Sequence, residues 1–182
     1  MKKTTLFRIK ALLDRIARVS ASQDWIDNLN PAQRGALTYL ANANQFSRAP
    51  SNIAEYMCTT RGTASQTLKA LERKGLVSQS QSPADKRSIS YDVTAAGQKA
   101  IENNTELDIV LSSLGQQEGS ALAGSLEKLS RELIVQRGYK AFGICAECIY
   151  HKKSSKGLFC SLLSVELSQD QSTKLCHEYV AK

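Results

Sequence analysis

Four of the five cysteines in this chain of 182 residues lie in its C-terminal segment, with the spacing C-x2-C-x11-C-x15-C. They are Cys145, Cys148, Cys160 and Cys176. Thiolates are good ligands for zinc and iron. A segment this short has too little apolar sequence to bury four thiols unless a cross-link such as a bound metal holds it together. The spacing therefore predicts a metal centre in which these four sulfur atoms are the ligands.

Two kinds of metal centre fit four thiolates, and free redox-active thiols are a third interpretation. Structural zinc sites usually take their ligands in two close pairs, because each C-x2-C pair supplies two corners of a tetrahedron. This segment has one such pair and two single cysteines. A [4Fe-4S] cluster needs one thiolate for each iron, so it accommodates one pair with two distant ligands. Ligand spacing thus favours the cluster over zinc.

Three further residues could take part in this chemistry. His151 and His177 lie close to the cysteines in sequence and could replace one of them as a ligand. Because four thiolates already complete a site, we expect each histidine to be solvated or to support a ligand. Cys58 stands alone, and we expect it to be a small buried thiol in the core.

The cysteine segment also resembles a known cluster-binding sequence. The C-x2-C pair is followed by a polar loop, then by Gly157-Leu-Phe-Cys160 and leucines, and the last cysteine is followed closely by the aromatic Tyr179. This order is similar to that of high-potential iron-sulfur proteins, over about 35 residues and with different loop lengths. The resemblance implies a [4Fe-4S] cluster.

A second stretch, from Thr59 to Asp92, predicts a helix followed by a hairpin. Ala64, Leu68 and Leu71 recur at i, i+4 and i+7, which places them on one buried stripe. The opposite face carries hydrogen-bond donors and no acid, and it comprises Thr63, Gln66, Lys69 and Arg73. Such a face suits contact with base edges in a major groove.

The hairpin has its own signals. Gly75 should end the helix, and Leu76-Val77 should begin a strand. The turn residues Ser82-Pro83-Ala84-Asp85 reverse the chain, after which Ile89, Tyr91 and Val93 alternate with polar residues. Lys86 and Arg87 then lie near the tip of the hairpin. A basic tip beside a polar helix indicates a winged helix-turn-helix.

The residues at this point resemble the MarR family of winged-helix regulators. The resemblance rests on LERKGLV, on SPADKR with its D-x-R element, and on VTAAGQ, and it covers roughly residues 5 to 137. It implies that Asp85 orients Arg87 and that Arg87 enters the minor groove. It also implies that the helix reads bases with residues between Arg61 and Lys69. The DNA-binding candidates are Arg61, Thr63, Ser65, Gln66, Lys69, Lys86 and Arg87.

Apolar periodicity predicts further helices around this core. One runs from Thr5 to Trp25, a second is capped by Asn30, and a third starts near Pro50 with Ser51 as a candidate cap. Thr94 should cap a single long helix that continues to Gly115. The last helix carries the leucine seam Leu122, Leu126, Leu129 and Leu133. This seam packs either within its own subunit or against a second subunit, and we expect a dimer.

These patterns predict a mainly α fold with a small β wing. We expect a winged helix-turn-helix core with long dimerisation helices at 1–137, and a small C-terminal metal-binding segment at 138–182. The net charge of +7 favours a polyanionic partner. The N-terminus lacks an uninterrupted apolar stretch of signal-peptide type, so we expect a soluble cytoplasmic protein.

The predicted function is that of a homodimeric DNA-binding transcriptional regulator and not of an enzyme. We expect it to be a repressor. Its binding to a pseudo-palindromic operator in double-stranded DNA would respond to a cluster that senses redox, oxygen, nitric oxide or iron status. An alternative is a regulator that responds to a small organic ligand or to thiol oxidation, with a structural zinc in the tail. A cluster-dependent redox enzyme is a further alternative, although the sequence has no supported Ser-His-Asp set or phosphate-binding glycine loop.

Overall fold

A computed structural model describes residues 2–23, 29–81, 89–102, 105–154 and 157–182. Its helices are α1 (Lys3–Gln23), α2 (Pro31–Asn42), α3 (Pro50–Tyr56), α4 (Arg61–Arg73), α5 (Ala95–Ile101), α6 (Glu106–Ser112), α7 (Gln116–Gln136) and α8 (Gln169–Ser172). Its strands are β1 (Val77–Gln81), β2 (Ile89–Val93), β3 (Gly143–Ile144), β4 (His151–Ser154), β5 (Gly157–Cys160), β6 (Val165–Leu167) and β7 (Leu175–Cys176). The predicted mainly α fold with a small β wing is confirmed.

The main core lies where α2, α3 and α4 meet. The predicted stripe of α4, formed by Ala64, Leu68 and Leu71, is buried against Leu37 and Leu40 of α2. Their burial removes apolar surface from water, which is the main source of stability for such a bundle. The buried set of this core is Leu29, Ala36, Leu37, Tyr39, Leu40, Ala43, Ile53, Ala54, Ala64, Leu68, Leu71, Val77 and Tyr91.

The ends of the core helices follow local capping chemistry, with one correction. Asn30 caps α2 by accepting a hydrogen bond from the Gln33 backbone N–H at 2.9 Å, as predicted. The N-cap of α3 is Ala49 and not Ser51, because Pro50 takes the first helical position. Gly75 ends α4 with a positive φ of 71°, a conformation that glycine adopts without strain.

The wing is a two-stranded antiparallel hairpin in which Val77 pairs with Val93 and Gln81 with Ile89. Tyr91 is buried and Val93 packs on the core, as the alternation predicted. Ile89 does not follow this pattern, since it is 41% exposed. It pairs with Gln81 at the end of the ladder opposite the Val77–Val93 pair, which packs on the core. The predicted turn, Ser82 to Asp85, lies outside the described residues, as does Trp25.

The chain after the wing differs from the predicted single long helix. α5 ends at Ile101, and Thr105 has an extended backbone and caps a separate helix, α6. The Thr105 hydroxyl accepts from the Asp108 backbone N–H at 3.2 Å, while the Asp108 carboxylate accepts from the Thr105 backbone N–H at 2.8 Å. This reciprocal cap satisfies backbone N–H groups that lack a helical acceptor only where a new helix begins.

Three helices expose their apolar faces to solvent in the single chain. On α7 the seam residues Leu122, Leu126, Leu129 and Leu133 are between 41% and 53% exposed. On α1 and α6 the exposed large apolar residues are Leu6, Phe7, Ile9, Leu12, Leu13, Ile16, Val19, Ile109, Val110 and Leu111. Within the described parts of the chain, no helix is both long and apolar enough to cross a membrane.

The tail, residues 138–182, forms a small β structure that packs on the helical core. β3 pairs antiparallel with β7, and β4, β5 and β6 form an antiparallel sheet in that order. Phe142 and Leu175 of the tail pack against the main core. Phe46, from the connection between α2 and α3, is in turn buried in the tail's own cluster beside Cys145 and Cys176. The helical core and the tail therefore each contribute side chains to the other's hydrophobic cluster.

Candidate nucleic-acid interface and cysteine cluster

The polar face of α4 projects into solvent from a fixed helix. Thr60 caps the helix, because its hydroxyl accepts from the Thr63 backbone N–H at 3.1 Å. This cap was missed in the sequence, although a threonine before a helix start is a common signal. Arg61, Thr63, Gln66 and Lys69 are all exposed, as predicted, and Ser65 is half-buried. The exposed residues could reach a groove without any rearrangement of the core.

The wing is held to the core by a charged contact that sequence patterns did not indicate. Arg48 Nη1 lies 2.7 Å from Asp92 Oδ1, and the Ser80 hydroxyl donates to Asp92 Oδ2 at 2.7 Å. The Arg48 side chain is only 15% exposed, while Asp92 is 45% exposed, so the pair lies at the edge of the core. The wing tip, with Asp85, Lys86 and Arg87, lies outside the described residues, so their predicted roles stay predictions.

The tail brings its four cysteines together. Cys145, Cys148 and Cys176 are buried and Cys160 is half-buried. The Cys148 backbone N–H donates to the Cys145 carbonyl oxygen at 3.1 Å, which closes the C-x2-C turn. Burial raises the pKa of the Cys145 thiol to about 12, and the other three cysteines raise this pKa further through charge repulsion. Cys145, Cys160 and Cys176 pack in one cluster, and the C-x2-C turn joins Cys148 to Cys145.

Hydrogen-bond donors surround two of these sulfur atoms. The Val180 backbone N–H donates to Cys148 Sγ at 3.4 Å. Burial raises the pKa of the Cys176 thiol, whereas hydrogen bonds from Asn44, the Glu178 backbone and Ser47 lower it. Donors aimed at sulfur stabilise the thiolate form, and hydrogen bonds to ligand sulfurs tune metal and cluster sites.

Asn44 and Ser47 are notable because they belong to the connection between α2 and α3 and not to the tail. Asn44 Oδ1 accepts from the Phe46 backbone N–H at 3.1 Å and from the Ser47 hydroxyl at 2.7 Å. The Asn44 carboxamide also acts on Cys176, because its hydrogen bond lowers the pKa of that thiol. Sequence reasoning missed both residues, because no local pattern links them to a cysteine 130 positions away.

The four thiols do not converge as a single metal ion requires. Among the described residues, no group of three or more His, Cys, Asp or Glu side chains is close enough to hold one metal ion. With Zn–S bonds of about 2.3 Å, tetrahedral zinc needs its sulfurs within about 4 Å of one another. In a [4Fe-4S] cluster each thiolate binds a different iron, so the sulfurs stand farther apart. The predicted metal centre, and the choice between zinc and a cluster, therefore stay predictions.

The two tail histidines are placed differently from each other. The imidazole of His177 is 18% exposed, and its Nε2 lies 2.9 Å from Glu178 Oε1. Burial lowers the pKa of His177, and Glu178 opposes this effect. His151 pairs with Cys160 across β4 and β5, and its buried Nε2 has no hydrogen-bond partner among the described residues. His177 is thus mostly buried beside Glu178, and the predicted roles of both histidines stay predictions.

Cys58 is not the buried core thiol that we predicted. It is exposed and has a positive φ of 50°, in the turn between α3 and α4. The tight turn points its side chain away from the core and towards a cavity of about 740 Å³. This cavity lies between α3, α7 and the tail, and its lining includes Tyr56, Leu126, Arg131 and Tyr179.

Comparisons with known proteins agree with this architecture. The family model described as MarR family matches residues 29–89, which include α2, α3, α4 and β1 and end at the first residue of β2. A search of curated proteins found no match.

Solved structures similar to this chain have the same fold. S. aureus MepR in its DNA-binding conformation is 24% identical, with a TM-score of 0.54, over 73% of this chain and 99% of MepR. The S. aureus MepR–DNA complex is 23% identical, with a TM-score of 0.53 and the same coverage. A MarR family transcription regulator is 18% identical, with a TM-score of 0.56, over 74% of this chain and 91% of that protein. Residues 29–89 of this chain therefore match the MarR family model, and the chain has the winged helix-turn-helix fold of these solved structures.

Proposed function

We propose that this protein is a homodimeric transcriptional regulator, acting as a repressor, that binds a pseudo-palindromic operator with two copies of α4 and of the wing. The observation that carries this proposal is the exposed, acid-free face Arg61–Lys69 on a MarR family domain. A similar solved structure is a MepR–DNA complex, and another is a transcription regulator. These similarities favour a regulator over an enzyme.

Dimerisation is supported by the apolar surface of the single chain. The seam of α7 and the faces of α1 and α6 expose more contiguous large apolar side chains than monomers usually tolerate. A two-fold dimer buries the same patch on both subunits and presents the two α4 helices to half-sites about one turn of DNA apart. We therefore assign the leucine seam to the subunit interface.

The tail is proposed to hold a [4Fe-4S] cluster through Cys145, Cys148, Cys160 and Cys176. Support comes from the packing of Cys145, Cys160 and Cys176 in one cluster, from the backbone donor at Cys148 Sγ, and from the hydrogen bonds that lower the pKa of Cys176. Such a cluster, when bound, supplies one-electron redox chemistry and sensitivity to oxygen, nitric oxide and iron supply. The chain's own residues bury three of the four cysteines and donate hydrogen bonds to the sulfurs of Cys148 and Cys176.

The alternative is a regulator that binds a small organic ligand, with a structural zinc in the tail. Its support is the cavity of about 740 Å³ between α3, α7 and the tail, which is within the usual size range of ligand sites. Cys58 lines this cavity and is exposed, so thiol oxidation at the same place belongs to this alternative.

Metal analysis and operator binding together test the proposal. Protein purified without oxygen should be brown and contain about four iron and four sulfide per subunit. Serine at any one of Cys145, Cys148, Cys160 or Cys176 should remove most of the iron, whereas Cys58→Ser, the matched control, should not. A colourless protein with one zinc per subunit would overturn the cluster in favour of the alternative.

The sensing role needs its own measurement. Operator affinity of the anaerobic iron-loaded protein should differ from that of the same preparation after controlled cluster loss, since only differential affinity shifts an equilibrium. Equal affinities in an iron-loaded protein would overturn sensing and leave the cluster in place.

A further inference from the structure

The connection between α2 and α3, residues 43–49, touches the cysteine cluster on one side and the wing on the other. We call it the connector. It lies inside the helix-turn-helix part of the chain, yet its backbone is bonded to the tail. The Asn44 backbone N–H donates to the Leu175 carbonyl oxygen at 2.8 Å, and the Gln45 backbone N–H donates to Gln171 Oε1 at 2.7 Å. Ala43 and Leu175 form a parallel bridge.

The tail side of the connector reaches the cysteines directly. Phe46 is buried beside Cys145 and Cys176. The Ser47 hydroxyl accepts from the His177 backbone N–H at 3.0 Å, one residue after Cys176. Asn44 and Ser47 are 1% and 0% exposed, so each depends on these partners for its hydrogen bonds. A displacement of Cys176 must therefore either move the connector or leave buried polar groups without partners.

The wing side of the connector is equally close. The Tyr91 backbone N–H of β2 donates to the Arg48 carbonyl oxygen at 3.1 Å. The Arg48 guanidinium bridges two elements, because its Nε donates to the Ala43 carbonyl oxygen at 3.1 Å and its Nη1 binds Asp92 at 2.7 Å. The Tyr39 hydroxyl ties the middle of the connector to α2 through the Ser47 carbonyl oxygen at 2.7 Å. Because of these bonds, a displacement of Asn44 or Ser47 should also displace β2.

We propose that the connector transmits a change at the four tail cysteines, such as gain or loss of the iron-sulfur cluster, to the wing. Asn44 and Ser47 are its contacts to the tail, and the Arg48–Asp92 pair is its contact to β2. Its consequence for DNA binding rests on the proposed function. The connector acts within one subunit and needs no change in the dimer interface. Asn44, Ser47 and Arg48 are positioning residues, since they act on the wing through Asp92 and Tyr91.

The test compares the two tail states in wild type and in Asp92→Ala. In wild type, cluster loss should change operator affinity about fivefold or more, as is usual for coupled sites. In Asp92→Ala the baseline affinity falls, but the ratio between the two states should shrink to below about twofold. Iron content per subunit should stay at the wild-type value, because Asp92 does not touch a cysteine. Asp14→Ala removes a solvent-exposed ion pair with Arg18 on α1 and serves as the matched control, with an unchanged ratio.

Hydrogen exchange gives a readout that does not depend on DNA. Peptides covering 89–93 should exchange faster after cluster loss in wild type, because the Tyr91 amide loses a stable acceptor. In Asp92→Ala the two tail states should differ little in these peptides, while peptides from α7 should not respond in either protein. An unchanged wild-type exchange of 89–93, or an affinity ratio in Asp92→Ala equal to that of wild type, would overturn the connector's role.

Failure of the cluster itself is distinguishable from failure of the connector. If the purified protein contains no iron, the two tail states are wild type and Cys176→Ser, with folding checked by circular dichroism. The connector then predicts faster exchange of 89–93 in Cys176→Ser and suppression of that difference by Asp92→Ala. Equal exchange in the folded Cys176→Ser protein and wild type would overturn it.

Discussion

Gly97 on α5 lies directly against the carbonyl oxygen of Leu76, so closely that a Cβ at this position would overlap that oxygen. Thr94, three residues earlier, caps the helix and binds the same segment, since its hydroxyl donates to the Gly75 carbonyl oxygen at 2.7 Å. The Thr-x-x-Gly sequence is thus a steric requirement for docking α5 on the start of the wing.

Gly97→Ala should therefore destabilise the protein. We expect the free energy of unfolding to fall by about 1–3 kcal/mol, because the added methyl group must displace backbone. Gly119→Ala on α7 is the control: its Cβ meets no atom within 4 Å, so a gain of about 0.5–1 kcal/mol is expected from helix propensity. Chemical denaturation of both variants measures the difference, and equal stabilities would contradict the contact.

Two substitutions on α4 should differ in kind. Gln66→Ala should relax the base preference at one position of each half-site, since an amide can read adenine with two hydrogen bonds. Lys69→Ala should weaken binding to all sequences alike and reduce the slope of log affinity against log salt by about 1. Binding to a panel of single-base operator variants at several salt concentrations separates the two effects. If both variants bind like wild type, α4 does not face the groove.

Arg87 at the wing tip is predicted to enter the minor groove. Arg87→Ala should lower operator affinity and flatten its salt dependence, while the dimer stays folded. Lys153→Ala removes an exposed positive charge from the tail and is the matched control for net charge. Fluorescence anisotropy with labelled operator measures both. If Arg87→Ala binds with wild-type affinity and salt dependence, the wing is not part of the DNA interface.

The leucine seam should determine whether the protein is a dimer. Glutamate at both Leu126 and Leu129 should give a monomer with lost operator binding, because the interface would bury uncompensated charges. Leu162→Glu, at a position of similar exposure in the tail, should remain dimeric. Light scattering reports the mass of each variant. A Leu126 and Leu129 double variant that is still a dimer would place the interface elsewhere.

Thiol reactivity should follow burial and pKa in the reduced, metal-free protein. With a pKa of about 12, only roughly one Cys145 thiol in 10⁵ is ionised at pH 7, so its alkylation should be slow and should rise about tenfold per pH unit. The exposed Cys58 should be modified first. Peptide mass spectrometry after timed alkylation gives both rates, with the denatured protein as the reference. A Cys145 rate that levels off below pH 10 would contradict the burial.

Local sequence determined the helices and strands wherever a short-range signal dominates. The stripe Ala64, Leu68 and Leu71, the cap at Asn30 and the stop at Gly75 each depend on neighbours within one or two helical turns. The break before α6 was also present in the sequence as a Thr105–Asp108 capping pair, and it was missed because apolar periodicity continued across it. The spacing of the four cysteines predicts one shared metal site, and this stays a prediction.

Only the tertiary structure decided what surrounds that site. Asn44 and Ser47 bond to Leu175 and His177, the neighbours of Cys176 some 130 residues away, and no periodic pattern encodes such a distance. Cys58 is exposed because the turn that carries it points outward, although its residue type favours burial. Ile89 alternates correctly but is exposed, because alternation fixes which face of a strand a side chain takes and not whether another element covers that face. Burial of this kind depends on which segments meet, and that is settled by packing the whole chain.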